Sequence, residues 1–515
     1  MRTLLLPLLL LAVIATKVLA QKASIEYPYR NPVIAGDFAD PSVIRVGDTY
    51  YAAGTSSEWA PAYPIYSSKN LVEWEYVGPV FPELPEWTMG SFWAPELFYR
   101  NGIYYCYYTA RRKSDQRSFI GVATTTNIRE GFKDHGVIIE WTTEAIDAFV
   151  VEDQGKLFIT WKAYGLDKDR KTALLGAELS ADGLRVAGKE FTILEAEDGG
   201  WEAGGAEGQA IFKRGKYWYM LYSGNACCGE KCDYQVGFAR ADKLQGPWTR
   251  YSANPVLTGN DTWKCPGHGT VVVTPDNRYY YLHHAYDAKD FTFVGRQGVL
   301  TELVWDEKNK WPTFRQGKFT PAQVGTPEKD ANNNLTARFD QENASLPWTY
   351  DVSFPRPEYK VENGTLQLNN NRKAYTGNFL GLVVKKADYT FTTEVVVKKG
   401  LLQSIVIYGD AKNAVGYGIS GNRIGLWQLK DGIRQVISSQ ELPEQHPVVE
   451  LRLTSRQGGN YEFYWGVKGE KFSDKSLPIE APWLPRWDRA PRVGINVFGN
   501  GAENGEFKLV ELRYE

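Results

Sequence analysis

Cysteine and histidine are both scarce in this chain, at five residues each of 515. The run Cys227-Cys228-Gly229-Glu230-Lys231-Cys232 holds most of the cysteine, with Cys106 and Cys265 apart from it. No second CxxC-like pair and no histidine cluster completes a metal-binding set. A local disulfide is the better reading in an exported chain; the spacing leaves the pairing open, and the odd count leaves one thiol over. A surplus of either charge is also missing, since 59 Lys and Arg face 61 Asp and Glu for a net charge of −2. That balance argues against nucleic acid or an acidic membrane as the main partner. Long apolar runs are confined to the first twenty residues. Arg2, the stretch from Leu4 to Ile14 and the small-residue site Val18-Leu19-Ala20 read as a secretory signal over residues 1–20. The stretch is too short to span a membrane, and no cysteine follows it to carry a lipid. The mature chain is therefore expected to start at Gln21, secreted or periplasmic and soluble.

Aromatic residues, by contrast, are abundant: 17 Trp, 31 Tyr and 23 Phe. Most belong to core packing, and the excess suits stacking on the apolar faces of sugars. Many fall in a repeated pattern. Asp40-Pro41-Ser42-Val43 leads to Tyr50-Tyr51, Ala94-Pro95-Glu96-Leu97 to Tyr104-Tyr105, and Asp147-Ala148-Phe149-Val150 to Leu157-Phe158. Glu207-Gly208-Gln209-Ala210 leads to Tyr217-Trp218, and His268-Gly269-Thr270-Val271 to Tyr279-Tyr280. The interval is 10 positions in four cases and 11 in the fifth, with a turn such as Gly47-Asp48 or Asn101-Gly102 before each pair. Strand, turn and strand make a hairpin. The hairpins start 54, 53, 60 and 61 residues apart, a period that predicts an all-β chain opening with a five-bladed β-propeller over residues 28–320. The inner strands of a propeller line one channel, so Asp40, Asp147 and Glu207, read at the same phase, are expected to converge there.

The polar stretch 321–345 reads as a linker. From 346 to 515 the hairpin repeat gives way to alternating runs such as Val448-Val449-Glu450-Leu451-Arg452-Leu453, without helical periodicity. A β-sandwich is expected there. It reads as a buttress for the propeller with one loop at the active-site rim, or else as a sugar-binding module.

Three carboxylates at one channel mouth suit hydrolysis of a sugar acetal. One acid protonates the leaving oxygen while a carboxylate on the opposite face activates water, with the two roughly 6.5–9.5 Å apart in an inverting enzyme. A third acid nearby raises the pKa of the first. The segments Asn31-Pro32-Val33-Ile34, Ala39 to Tyr51, Phe92-Trp93-Ala94-Pro95-Glu96, Ile146-Asp147-Ala148-Phe149, Ala206-Glu207-Gly208 and Pro266-Gly267-His268-Gly269 resemble glycoside hydrolase family 43 in order and spacing. Gly377 to Gly381 and Asn413 to Ile419 are similar to parts of the concanavalin-like sandwich that follows many of its members. The resemblance implies an inverting enzyme acting on arabinose- or xylose-containing plant polysaccharide, with no required cofactor. It implies Asp40 as general base, Asp147 as pKa modulator and Glu207 as general acid. Ala148 and Gln209 stand where the family commonly has proline, which bears on substrate rather than mechanism. Arg296 is expected to pair with an acid and contact substrate, and Phe38 and Trp93 to stack on the sugar. His268 would hold an ion, calcium in some members, or a water network; a hydrogen-bonded core histidine is the alternative. An exo-acting α-L-arabinofuranosidase is the first expectation. A β-D-xylosidase, an endo-arabinanase or galactan-cleaving enzyme, and a non-catalytic sugar-binding propeller follow.

Overall fold

The computed structural model describes residues 28–514 except 142, 327–332, 342–343, 371–375, 443, 469–471, 474–476 and 500–502. The signal-like segment 1–20 lies outside the described residues. Among those described, no helix is long and apolar enough to cross a membrane.

Five four-stranded antiparallel sheets follow one another along the chain. Their inner strands are Ala39–Val46, Trp93–Arg100, Ala145–Asp153, Glu207–Arg214 and Trp263–Val273. Each is joined to a second strand by a tight turn, and at Asn101-Gly102 and Gln154-Gly155 both turn residues lie at positive φ. Paired positive φ values are what a two-residue hairpin needs to match strand twist. An apolar cluster fills the space between every two neighbouring blades, including blades five and one. The repeated aromatics supply much of it: Tyr50, Tyr105, Phe158, Trp218 and Tyr280 are all buried. The ring is closed by side-chain and backbone bonds to blade five. Asn31 Nδ2 donates to the carbonyls of Leu300 and Pro321 at 2.9 and 2.8 Å, and its Oδ1 accepts the Leu300 N–H at 2.8 Å.

The stretch 321–345, read as a linker, is partly built into both domains. Gln323–Val324 pairs with Tyr29–Arg30 and completes the propeller closure, and Leu335–Arg338 pairs with Gly505–Tyr514 in the next domain. That domain packs an eight-stranded sheet on a six-stranded one. The strand Val448–Arg456 alternates buried and part-buried side chains, with Val449, Leu451 and Leu453 pointing inward. This is the pattern of a sheet with one face on a core.

The two domains share an extensive interface. Trp59–Ala60 of blade one pairs with Tyr350–Asp351, and Trp59 is buried among Phe379, Val406, Tyr408 and Trp427 of the sandwich. The one-turn helix Phe291–Val294 before the third strand of blade five contributes Val294 to the sandwich core, with Phe293 packed against it. A buried ion pair, Arg492 Nη2 to Asp37 Oδ2 at 3.1 Å, crosses the same boundary. The sandwich therefore covers apolar propeller surface. Trp59→Ala should cost about 3–5 kcal/mol, seen as a lower urea midpoint of the full chain, and a chain ending at Gly325 should lose solubility through the same exposed patch. A truncated propeller that is soluble and melts as the full chain does would refute this.

Candidate active site

Every inner strand slips register at the channel mouth: between Ala39 and Ser42, Trp93 and Glu96, Ile146 and Phe149, Glu207 and Ala210, and Gly267 and Gly269. The first residue within each slip has positive φ: Asp40 at 51°, Ala94 at 44°, Asp147 at 59°, Gly208 at 58° and His268 at 36°. A bulge bends its strand and re-aims a side chain, and a non-glycine residue held there costs of order 1–3 kcal/mol. Asp40, Asp147 and His268 thus occupy one phase.

Glu207 does not share it. It sits one residue earlier, paired with Ser223, and Gly208 takes the acid phase. The miscount has a definite origin. Tyr217 is the first paired residue after its turn, whereas Tyr50, Tyr104 and Leu157 are second, after Thr49, Ile103 and Lys156. Glycine is required at 208, because a Cβ there would lie 2.6 Å from the His268 ring. The freed space lets His268 stand between two acids, Nδ1 3.5 Å from Asp40 Oδ1 and 3.8 Å from Asp147 Oδ2.

Asp40 is buried and fully engaged. Arg296 Nη1 donates to Oδ1 at 3.1 Å and Thr55 Oγ1 to Oδ2 at 2.6 Å. Its own N–H donates to His284 Nδ1 at 3.1 Å. Burial pushes the His284 ring down to about 4, so it is neutral near pH 7. Burial alone would raise the Asp40 carboxyl, but Arg296 and then His268 overcome it and hold the carboxyl far below the usual range. It is ionised at any working pH.

Asp147 and Glu207 form a coupled pair with opposite tendencies. Burial pushes Asp147 up to about 7, with His268 opposing and the Glu207 charge reinforcing. Glu207 is also penalised by burial, yet it is held below the ordinary glutamate value. Lys162 Nζ lies 2.7 Å from Oε2, and Tyr234 Oη donates to Oε1 at 2.8 Å. These contacts run against the expectation that Asp147 keeps Glu207 protonated: Lys162 favours Glu207 as a carboxylate, and of the two acids Asp147 has the raised proton affinity. Lys162 comes from the second strand of blade three (Lys156–Ala163). Gln209, noted as a departure from proline, donates from Nε2 to the Asp147 carbonyl at 2.7 Å and so fixes that bulge.

The sandwich supplies the rim through its loop 481–491. Asp488 is 3% exposed. Its carbonyl accepts from Ser57 Oγ at 3.3 Å and Arg296 Nη2 at 3.2 Å, and its Oδ2 accepts from Trp93 Nε1 at 3.3 Å. The neighbouring Trp487 is 58% exposed, its ring 6.1 Å from Trp93 and edge-on to it. Its backbone packs against Gly229 of the cysteine-rich loop. That loop carries the disulfides Cys227–Cys228 and Cys232–Cys265, while Cys106 is a buried free thiol.

Trp93 and Arg296 thus stand at the site, but Phe38 does not offer a stacking face. It is 2% exposed, wedged against Gly54 and edge-on to Tyr66. Among the described residues no group of three or more His, Cys, Asp or Glu is placed to hold a metal. Calcium takes six to eight oxygen ligands, whereas His268 offers a ring nitrogen beside a carboxylate already held by a guanidinium. That donor set does not fit a side-chain calcium site. Lys162, Tyr234, His284, Trp487 and Asp488 escaped the sequence reading, because Tyr234 meets Glu207 from the residue before another strand of the same blade and the others meet their partners across a blade or domain boundary.

A five-bladed propeller whose channel mouth gathers three carboxylates of different proton affinity carries the groups that hydrolysis of a sugar acetal needs. The profile of Glycosyl hydrolases family 43 matches residues 29–312, and the chain belongs to that family. A beta-xylosidase of Bacillus subtilis is 26% identical over 371 residues, 66% of this chain and 63% of that protein, so the chain spans somewhat less than two thirds of its length. A non-reducing end alpha-L-arabinofuranosidase of Bacteroides ovatus is 24% identical over 475 residues, 85% of this chain and 84% of that one. The crystal structure of a GH43 protein mutant from Bacillus licheniformis superposes with a TM-score of 0.82 at 20% identity, over 95% of this chain and 100% of the other. That likeness is one of fold.

Removing the Asp40 counter-ion has a signed consequence. The base expected at Asp40 must be ionised, and without Arg296 burial raises its carboxyl. Arg296→Ala should move the acidic limb of kcat/KM to higher pH and lower activity at neutral pH by about 10² or more. A pH–rate profile with an unmoved acidic limb would contradict the assignment.

Proposed function

We propose that this chain is a secreted, exo-acting α-L-arabinofuranosidase on plant cell-wall polysaccharide or oligosaccharide. The observation that carries the reading is the sandwich loop at the rim. Asp488 and Trp487 close the side of the site next to blades one and two, so a chain end fits and a continuous polymer does not run across that side. Trp487 and Trp93 present aromatic surface for a sugar beside the bond to be cut. Secretion is supported by the signal-like N-terminus and by the two disulfides, which suit an oxidising compartment.

In the proposed reaction Asp40 takes a proton from the water that attacks the anomeric carbon. Glu207 delivers a proton to the glycosidic oxygen as the bond breaks, and Asp147 is the neighbouring acid with the raised proton affinity. The sugar leaves inverted, and no step needs a cofactor. A β-D-xylosidase is the second reading, because arabinofuranose and xylopyranose present similar hydroxyl arrangements to one pocket and relatives of both kinds are similar to this chain.

Parallel assays on nitrophenyl α-L-arabinofuranoside and β-D-xyloside separate the two, and faster cleavage of the xyloside would replace the first reading by the second. Glu207→Gln should cut activity on natural linkages by about 10²-fold or more while sparing the nitrophenyl glycoside, whose leaving group needs little acid help. Asp40→Asn should impair both substrates alike. Proton NMR of early product should show the inverted anomer first; the retained anomer first would end the mechanism.

A further inference from the structure

Glu207 is bound to a cation, which makes it a poor acid. We propose that Lys162 is a movable counter-ion. It pairs with Glu207 in the free enzyme and passes to Glu144 when a glycoside binds, so that Glu207 can take up the proton it must donate. The inference rests on Glu207 being the acid.

The geometry provides the second berth. Lys162 Nζ, 2.7 Å from Glu207 Oε2, is 3.9 Å from Glu144 Oε1. The latter distance is too long for a hydrogen bond, and Glu144 Oε1 is buried with no hydrogen-bond partner among the described residues. A buried acceptor left unmade is costly, so Glu144 is incomplete while Lys162 sits on Glu207. Both side chains pack against Gly165. A Cβ there would lie 2.6 Å from Glu144 Oε1 and 2.8 Å from Lys162 Cε, so the glycine is what lets the lysine stem and the second carboxylate lie side by side. Lysine suits the task, being a flexible stem with a compact charge.

The charges around the pair fit a two-position device. Lys162 faces Glu207, Glu144 and Asp147; Glu207 faces Lys162, Tyr234 and His268, and is coupled to Asp147. Glu144 has Lys162 as its cation and is raised by burial and by the Glu207 charge. With Lys162 on Glu207, the one proton of the acid pair sits on Asp147. When Lys162 leaves, Glu207 loses its strongest stabilising cation, and the proton passes from Asp147 to Glu207. Asp147 then remains as a carboxylate beside His268. The proton count is unchanged, and no outside reagent is needed. Lys162 and Glu144 act through Glu207 and are positioning residues.

The test compares pH profiles of kcat/KM, which report the free enzyme, with those of kcat, which report the complex. Lys162→Met should raise the basic limb of kcat/KM and leave that of kcat in place, because Lys162 has already moved in the complex. Equal shifts of both limbs, or none, would overturn the proposal. Glu144→Gln removes the second berth without touching Glu207. It should lower kcat at least tenfold on arabinobiose or xylobiose, whichever sugar the enzyme takes, and spare the matching nitrophenyl glycoside. Unchanged kcat on the disaccharide would also overturn it. Glu207→Gln run alongside separates the causes. If it stays active on the disaccharide, the acid assignment itself falls; if it fails there while Glu144→Gln does not, only the counter-ion exchange falls.

Discussion

The buried contact between Asp40 and Arg296 is the constraint on which the rest of the site depends. A carboxylate this deeply enclosed would be neutral on its own, and a neutral acid cannot activate water. A buried ion pair of this kind contributes little to stability relative to apolar packing, and breaking one partner is costly. Its value is a fixed charge at a strained position. Arg296 is itself held from two sides, by the preceding one-turn helix that sends Val294 into the sandwich core and by the Asp488 carbonyl on its Nη2. The ionisation of a propeller acid is thus secured by a second domain, and the same domain places Trp487 at the rim.

The propeller solves a second problem, how to aim side chains from five separate strands into one small volume. Regular strands would alternate residues toward the channel and into the neighbouring blade. The bulges at Asp40, Asp147 and His268 break that alternation where the chain enters the channel, and the apolar clusters between blades hold the strained backbone in place. At Gly208 the solution is different. The strand gives up its own side chain so that His268 can approach, and the acid is carried one residue earlier, where it hydrogen-bonds Lys162 and Tyr234.

That offset gives the three acids different environments. Asp40 is matched by a guanidinium that cannot lose its charge, whereas Glu207 is matched by an ammonium on a flexible stem. Asp147, between His268 and the Glu207 charge, has the raised proton affinity. Three acids at one channel mouth thus differ in proton affinity through their partners, not through their own chemistry.

Much of the architecture was legible beforehand because it is local. Hairpins, turn glycines and the aromatic pairs recur at a fixed period, and strand alternation marks the sandwich, so the all-β fold and the trio of acids could be read from the chain. The phase of Glu207 could not, since the blade-four turn begins its second strand one residue later relative to the aromatic pair. Phe38 was misread for a related reason: its neighbours Gly54 and Tyr66 come from other strands, and only packing decides that its ring is covered. Arg296 was expected to pair with an acid, but the cation on Glu207 and the rim of the site were beyond reach. Lys162 is 45 residues from Glu207, and Asp488 is 431 residues from Ser57. A sequence carries hydrogen-bonding and hydrophobic periods of a few residues, which specify strands and their order. Which charge meets which, and so where a proton rests, depends on distances across blades and domains that exist only once the chain has closed.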